Sequence, residues 1–116
     1  RTLHQGGVCH RDFYLCHFLM PKDCLDGSSD QVFELFIIDL HRALIKNSLG
    51  MRWIIKDVSG LLYSAMDIGL TQRDCLRFIK TYDDMNLRDS LADNGAFWSS
   101  VEKRALSMQK KLGPVS

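Results

Sequence analysis

No stretch of this sequence approaches the ~20 consecutive apolar residues that a transmembrane helix needs. The longest apolar run surrounds Phe36-Ile37-Ile38, between Glu34 and Asp39. An excess of charge of one sign is also lacking: 15 Lys+Arg stand against 14 Asp+Glu in 116 residues, a net charge of +1. That balance excludes a dedicated nucleic-acid binder, which carries a clear basic surplus. With 46% hydrophobic residues, it also excludes a disordered chain, which combines low hydrophobicity with high net charge. Internal repeats and low-complexity segments are missing. No signal-peptide pattern follows the first residue, which is Arg1 and not Met, so the chain is expected to be a fragment of something longer. Its length supports one domain or part of one.

Cysteine is scarce. Cys9, Cys16, Cys24 and Cys75 are irregularly placed, and the apolar content is enough to fold without staples, so they read as reduced thiols in a cytosolic protein. Cys9-His10 and Cys16-His17 offer zinc's preferred donor types, but at spacings unlike those of the common zinc knuckles. Cys75 sits on an apolar helical face and reads as a small core residue. Met51, Met66, Met85 and Met108 read as gap-fillers, and Trp53 and Trp98 as half-buried.

Charge is unevenly distributed. From Pro21 to Leu40 a single cation, Lys22, faces Asp23, Asp26, Asp30, Glu34 and Asp39, while from His41 to Gly60 Arg42, Lys46, Arg52 and Lys56 face only Asp57. An acidic segment beside a basic one suits a site that handles a metal and a phosphate, or else forms two solvated faces of opposite sign.

The order of elements is readable from periodicity. Gly6-Gly7 breaks any helix arriving from upstream, and residues 10–17 show no clean period and read as a loop. Phe18-Leu19-Met20, stopped by Pro21, predicts a short strand. Residues 22–30, with Asp26-Gly27-Ser28-Ser29, have turn composition, and the β-branched and aromatic run 32–38 predicts a second strand ending at Asp39. The two strands make a hairpin. Beyond Gly50 the pattern turns helical. Ile54, Val58, Leu61, Leu62 and Ala65 give one buried face to residues 52–67. Gly69 ends that helix, and Thr71 with Asp74 has capping-box spacing for the next, whose apolar side is Cys75, Phe78, Ile79 and Tyr82. Phe97, Val101, Ala105, Met108 and Leu112 form the stripe of a last helix over 96–112, stopped by Gly113-Pro114. A hairpin followed by helices is an α+β arrangement.

The densest polar group is His10-Arg11-Asp12 with His17, followed by Asp39 at the end of the second strand. In phosphoryl transfer a loop Asp orients or deprotonates the attacking hydroxyl, and a second Asp after a hairpin holds Mg²⁺ against the phosphates. One must accept a proton and the other must be a hard oxygen ligand, so both must be carboxylates.

Four blocks then appear in order: His10-Arg11-Asp12-Phe13-Tyr14-Leu15-Cys16-His17-Phe18-Leu19, Ile38-Asp39-Leu40-His41-Arg42-Ala43, Lys56-Asp57-Val58-Ser59-Gly60-Leu61-Leu62-Tyr63-Ser64, and Asp67-Ile68-Gly69-Leu70-Thr71-Gln72-Arg73-Asp74. Together they resemble the lipopolysaccharide core heptose(I) kinase family, from about Gly7 to Tyr82. The tail from Asp83 is not distinctive. The resemblance implies the C-terminal lobe of a protein-kinase-like fold as a single unit over 1–116, with catalytic loop and metal hairpin in 7–42 and a helical part in 50–112. It implies transfer of the ATP γ-phosphate, with Mg²⁺, to a sugar hydroxyl of the lipopolysaccharide inner core at the cytoplasmic face of the inner membrane.

By position in the motif, Asp12 would be the base and Asp39 the Mg²⁺-binding acid. His17 falls where protein kinases place a metal-binding Asn; it would bind metal, or hydrogen-bond substrate or loop. His10 and Arg11 would brace the loop. Arg42 would grip a phosphate in two-pronged fashion or form a surface pair. Arg52, Lys56 and Arg73 would meet an anionic lipid head group or form a solvated face. Lys103-Arg104 and Lys110-Lys111 flank the last apolar stripe, as an exposed face or a membrane contact. The Gly-rich loop and strand Lys that grip ATP in kinases are absent here and expected upstream, so the chain alone should bind ATP weakly. Two other functions stay open: a kinase-like binding module without catalysis, and a small zinc-stabilised interaction domain.

Overall fold

Two glycines set the entry to the fold. The structure, a computed structural model, describes residues 1–19, 36–66 and 68–113. Helix α1 (Thr2–Gln5) stops at Gly6, and Gly7 follows with φ 84, a left-handed conformation that side-chain-bearing residues rarely adopt. A Cβ on Gly7 would lie 1.9 Å from the Lys46 carbonyl oxygen. That close approach lets β1 (Val8–Cys9) pair antiparallel with a late strand, Leu44–Ile45, with Val8 opposite Ile45 and Cys9 opposite Leu44. The Lys46 N–H donates to the Gly7 carbonyl at 2.9 Å and closes the pair.

The expected hairpin is present in its described part. β2 (Phe18–Leu19) and β3 (Phe36–Ile37) pair antiparallel, Phe18 opposite Ile37 and Leu19 opposite Phe36. The Ile38 N–H bonds the His17 carbonyl at 2.9 Å, which carries the pairing up to Asp39. The predicted turn at 22–30 and the start of the second strand lie outside the described residues. The strand Leu44–Ile45, β4, was not predicted, nor was β1. Two residues are too few to show a period of two.

The helical part follows the 3.6-residue pattern. α2 (Met51–Ala65) and α5 (Gly95–Leu112) pack on one another around buried Val58, Trp98 and Val101, with Ile54, Ile55, Leu62, Ile79, Tyr82 and Phe97 around them. α3 (Gln72–Asp83) opens with the predicted capping box: Asp74 N–H donates to Thr71 Oγ1 and Thr71 N–H to Asp74 Oδ2, both at 3.1 Å. Trp98 is 8% exposed, deeper than its half-buried expectation. Its indole N–H donates to Asp83 Oδ2 at 2.9 Å, and its ring meets those of Phe97 and Tyr82 edge-on, with centroids 4.8 and 5.7 Å away.

Ser90 also donates to the Asp83 carboxylate, which draws in α4 (Leu87–Asp93). This seven-residue helix was not predicted, although Asn86 caps it by accepting the Asp89 N–H at 2.9 Å. The stripe of α5 is buried at Val101 and Ala105 but emerges at Leu112, which is exposed. Lys103, Arg104, Lys110 and Lys111 are exposed, on a helix whose apolar stripe is occupied by α2. No helix among the described residues is long and apolar enough to cross a membrane.

Gly7→Ala is expected to lower the unfolding free energy by about 2 kcal/mol, the cost of a strained backbone plus a displaced strand. Gly6→Ala, at φ −80 and with its nearest neighbours 3.5 Å from the added Cβ, should change it by under about 0.5 kcal/mol. Urea denaturation of both variants checks the contrast, and equal effects would mean that the Gly7–Lys46 approach is not needed.

Candidate active site

A carboxylate buried on the inner face of α2 organises the loop that follows β1. Asp57 is 1% exposed. Its Oδ2 accepts the His10 N–H at 2.8 Å and its Oδ1 the Arg11 N–H at 2.9 Å. His4 Nε2–H donates to Oδ2 at 2.9 Å, while His4 Nδ1 accepts from the Tyr82 hydroxyl. Burial pushes the Asp57 carboxyl up, but the His4 side chain and the two backbone N–H groups outweigh it and hold it below the usual carboxylate range. Burial, with the Asp57 and Asp83 charges adding to it, pushes the Tyr82 phenol up to about 12. The phenol therefore stays protonated and keeps donating.

Two more α2 residues receive the loop, each about a turn further along. A Cβ on Gly60 would lie 3.3 Å from the Tyr14 ring and 3.4 Å from the Phe13 carbonyl. Ser64 Oγ accepts the Leu15 N–H at 2.8 Å and donates to the Leu61 carbonyl at 2.8 Å. Asp57, Gly60 and Ser64 thus form a stripe of small and polar residues on a helix face that is otherwise apolar. Sequence reasoning quoted this block without assigning it a task. Its signal was a charged residue at a position three after Ile54 and four before Leu61, where the periodicity calls for an apolar side chain.

The loop so held gathers the predicted site residues. Arg11 sits at φ 73 and Asp39 at φ 59, left-handed conformations of the kind that strain concentrates at functional sites. His10, fully buried, accepts the Asp12 N–H at Nδ1 (3.2 Å) and donates from Nε2 to the Ile38 carbonyl (2.8 Å). It therefore bridges the loop to the residue before Asp39. His17 donates from Nδ1 to the Asp12 carbonyl at 2.7 Å, and its Nε2 stands 3.2 Å from Asp39 Oδ2. The ring links the backbone of one acid to the side chain of the other. The Arg42 guanidinium lies 2.7 Å from Asp12 Oδ1, so its partner here is the candidate base. Asp12 is mostly covered, with 14% of its side chain exposed, whereas the Asp39 side chain is 52% exposed.

The zinc constellation does not assemble. Both ring nitrogens of His10 are taken by the backbone. Burial, with Asp57's charge adding, pushes the Cys9 thiol up to about 11, and its Sγ–H is directed to the Trp53 carbonyl at 3.6 Å. No cluster of three or more His, Cys, Asp or Glu fit for a metal occurs among the described residues. Cys9, Cys16 and Cys75 are free thiols.

Comparisons with known proteins bear on the family and the fold. Residues 1–82 match the model of the Lipopolysaccharide kinase (Kdo/WaaP) family. The lipopolysaccharide core heptose(I) kinase WaaP of Escherichia coli K12 is 47% identical over 108 residues, which are 93% of this chain and 37% of that protein. WaaP of Pseudomonas aeruginosa PAO1 is 42% identical over 109 residues, 94% of this chain and 40% of that protein. A solved structure described as WaaP in complex with acyl carrier protein superposes with a TM-score of 0.76 at 43% identity, over 91% of this chain and 43% of that one. The chain belongs to the Kdo/WaaP lipopolysaccharide kinase family, spans about two fifths of the length of these relatives, and has the α+β fold of a kinase-like C-terminal lobe.

Asp57→Asn puts an amide in place of an acceptor that serves three donors. It is expected to cost about 3 kcal/mol, the scale of buried donors left unpaired. The same carboxyl makes stability fall in acid. Its folded pKa lies below its unfolded value of about 3.9, so its stabilisation is complete above about pH 5 and drains away as pH drops through the folded pKa. Chemical denaturation at a series of pH values should show a shallower acid slope in Asp57→Asn than in the parent; parallel slopes would remove Asp57 from this role.

Proposed function

We propose that the protein carrying this chain transfers the γ-phosphoryl group of ATP to a hydroxyl of heptose I in the lipopolysaccharide inner core, at the cytoplasmic face of the inner membrane. Residues 1–116 act as one C-terminal lobe, with catalytic loop and metal hairpin in 7–42 and helical support in 50–112. The observation that carries this proposal is the pair of acids, Asp12 and Asp39, joined through His17 in a member of a lipopolysaccharide kinase family.

In this proposal Asp12 accepts the proton of the sugar hydroxyl as the oxygen attacks. Its pairing with Arg42 fixes the carboxylate's direction. The Arg42 side chain is 48% exposed, so donors remain on the guanidinium for a phosphate oxygen. The donor set at the hairpin suits Mg²⁺, which commonly takes one or two carboxylates and fills its remaining positions with phosphate and water. Asp39 would hold the ion. His17 Nε2, 3.2 Å from Asp39 Oδ2, is placed to join it as a weaker nitrogen ligand. When bound, Mg²⁺ would neutralise the charge on the transferring phosphoryl group. The acyl carrier protein bound to the related WaaP is proposed as a protein partner here too.

Asp12→Asn in the full-length protein should lower kcat by about 10²–10⁴-fold with little change in acceptor KM, since an amide takes no proton. Asp39→Asn should raise the Mg²⁺ concentration needed for half-maximal rate. Steady-state kinetics with defined core saccharides checks both. Wild-type rates in Asp12→Asn would send the base role elsewhere, and absence of turnover in the parent protein would favour the binding-module reading.

A further inference from the structure

Tyr82, near the end of α3, has a ring and a hydroxyl that belong to different parts of the molecule. The ring stacks on Phe78 and Phe97 and stands edge-on to Trp98, with centroids 5.8, 6.3 and 5.7 Å away. The hydroxyl leaves this aromatic cluster and meets His4 Nδ1. His4 is 6% exposed, and its other nitrogen, Nε2, meets Asp57 Oδ2 at 2.9 Å. Asp57 in turn accepts the His10 and Arg11 N–H groups at 2.8 and 2.9 Å, and Asp12 is the next residue. An unbroken path of hydrogen bonds thus runs from α3 to the peptide that carries the candidate base.

An imidazole on such a path has a choice that other side chains lack. When neutral it carries its proton on either nitrogen, and the partner of one nitrogen sets the role of the other. A proton on Nδ1 would turn the Nε2 lone pair toward Asp57 Oδ2, leaving two acceptors face to face at 2.9 Å. A proton on Nε2 makes the ring a donor to the carboxylate. Asp57 alone does not hold the ring, because one hydrogen bond leaves rotation about the broad χ2 torsion open. The Tyr82 hydroxyl closes that freedom. Burial keeps the phenol protonated, so it donates, and a donor at Nδ1 requires the lone pair there. Two contacts then fix both the tautomer and the edge of the ring that faces Asp57.

The consequence reaches the reacting end. Asp57 Oδ2 accepts from both His4 and the His10 N–H, so a His4 ring that turns takes a donor from the oxygen that also holds the loop. The loop is strained at that point, with Arg11 at φ 73, and a strained segment persists only while its surroundings over-determine it. Relaxation at Arg11 moves Asp12, which shares its peptide bond. We infer that Tyr82 is a positioning residue for phosphoryl transfer: its hydroxyl holds the His4 tautomer that fixes Asp57, and through Asp57 the direction of Asp12. The inference rests on the proposed kinase function and adds to it a residue, remote from the site, whose hydroxyl has a task separate from the packing of its ring.

The test is Tyr82→Phe in the full-length protein. It keeps the ring among Phe78, Phe97 and Trp98, keeps the backbone carbonyl that accepts from Arg1, and removes the hydroxyl alone. The expected result is a kcat lower by about tenfold, the effect of a slightly misplaced catalytic group, with KM for ATP and for acceptor within about twofold of the parent. The second background is His4→Gln, whose amide donates from a fixed atom and has no tautomer to choose. There Tyr82→Phe should lower kcat by under about twofold, whereas a packing role predicts equal losses in both backgrounds. NMR of the His4 ring nitrogens reads the device without turnover. In the parent Nε2 carries the proton and Nδ1 does not; in Tyr82→Phe that fixed assignment should be lost, and the Arg11 and Asp12 amide resonances should move. Parent kcat in Tyr82→Phe, equal losses in the two backgrounds, or an unchanged His4 tautomer with unmoved Asp12 amide each overturn the inference. Absence of turnover in the parent would sink the kinase proposal instead, and the NMR comparison would still decide whether Tyr82 holds the loop.

Discussion

Asp57 is the constraint on which the rest of the site depends. A carboxylate on the buried face of a helix is costly unless its oxygens are saturated, and here the donors come from the segment that must be fixed. The His10 and Arg11 N–H groups point inward to Asp57. This leaves Arg11 in a left-handed conformation and turns the next residue, Asp12, toward Arg42. His10 relays the same order to the Ile38 carbonyl and so to Asp39. Two acids distant in sequence are thus set by one helix residue and two imidazoles.

The support behind Asp57 reaches well beyond the loop. Tyr82 on α3 orients His4, and His4 supplies the third hydrogen bond to Asp57. The backbone of Tyr82 also accepts from Arg1 at 2.7 Å. Tyr82 packs on Trp98, whose indole is held by Asp83. Packing of α2, α3 and α5 is therefore part of what orients the loop, and a core substitution near Trp98 acts on the same hydrogen bonds from a distance. The loop pays for its geometry in strain at Arg11, and the surrounding saturation of Asp57 is what sustains it.

What the sequence made legible was what local chemistry decides. The long helices α2, α3 and α5 show their stripes, Thr71 and Asp74 show the cap, and Phe18-Leu19 and Phe36-Ile37 show the hairpin. The motif around Asp12 and the acid after the hairpin named the candidate site residues, and the family resemblance agreed with the comparisons. What stayed illegible depends on tertiary placement. β1 and β4 are two residues each and exist because Gly7 lets the Lys46 carbonyl approach. The seven residues of α4 are too few to display a face. The task of Asp57 and the partner of Arg42 are set by which side chains the fold brings opposite them. The charge of Lys46, Arg52 and Lys56 was visible as a basic segment, but their convergence with Arg11 on the Trp53 indole was not.

The central claim is that this arrangement brings Asp12 and Asp39 to one nucleotide-bound metal. Its most direct test is a crystal structure of the full-length protein with a non-hydrolysable ATP analogue and Mn²⁺, located by anomalous scattering, in place of Mg²⁺. The account predicts Mn²⁺ at about 2.2 Å from an Asp39 carboxylate oxygen, with the terminal phosphate facing the Asp12 carboxylate across a gap that fits a sugar hydroxyl. Metal bound away from Asp39, or a terminal phosphate directed away from Asp12, would contradict it.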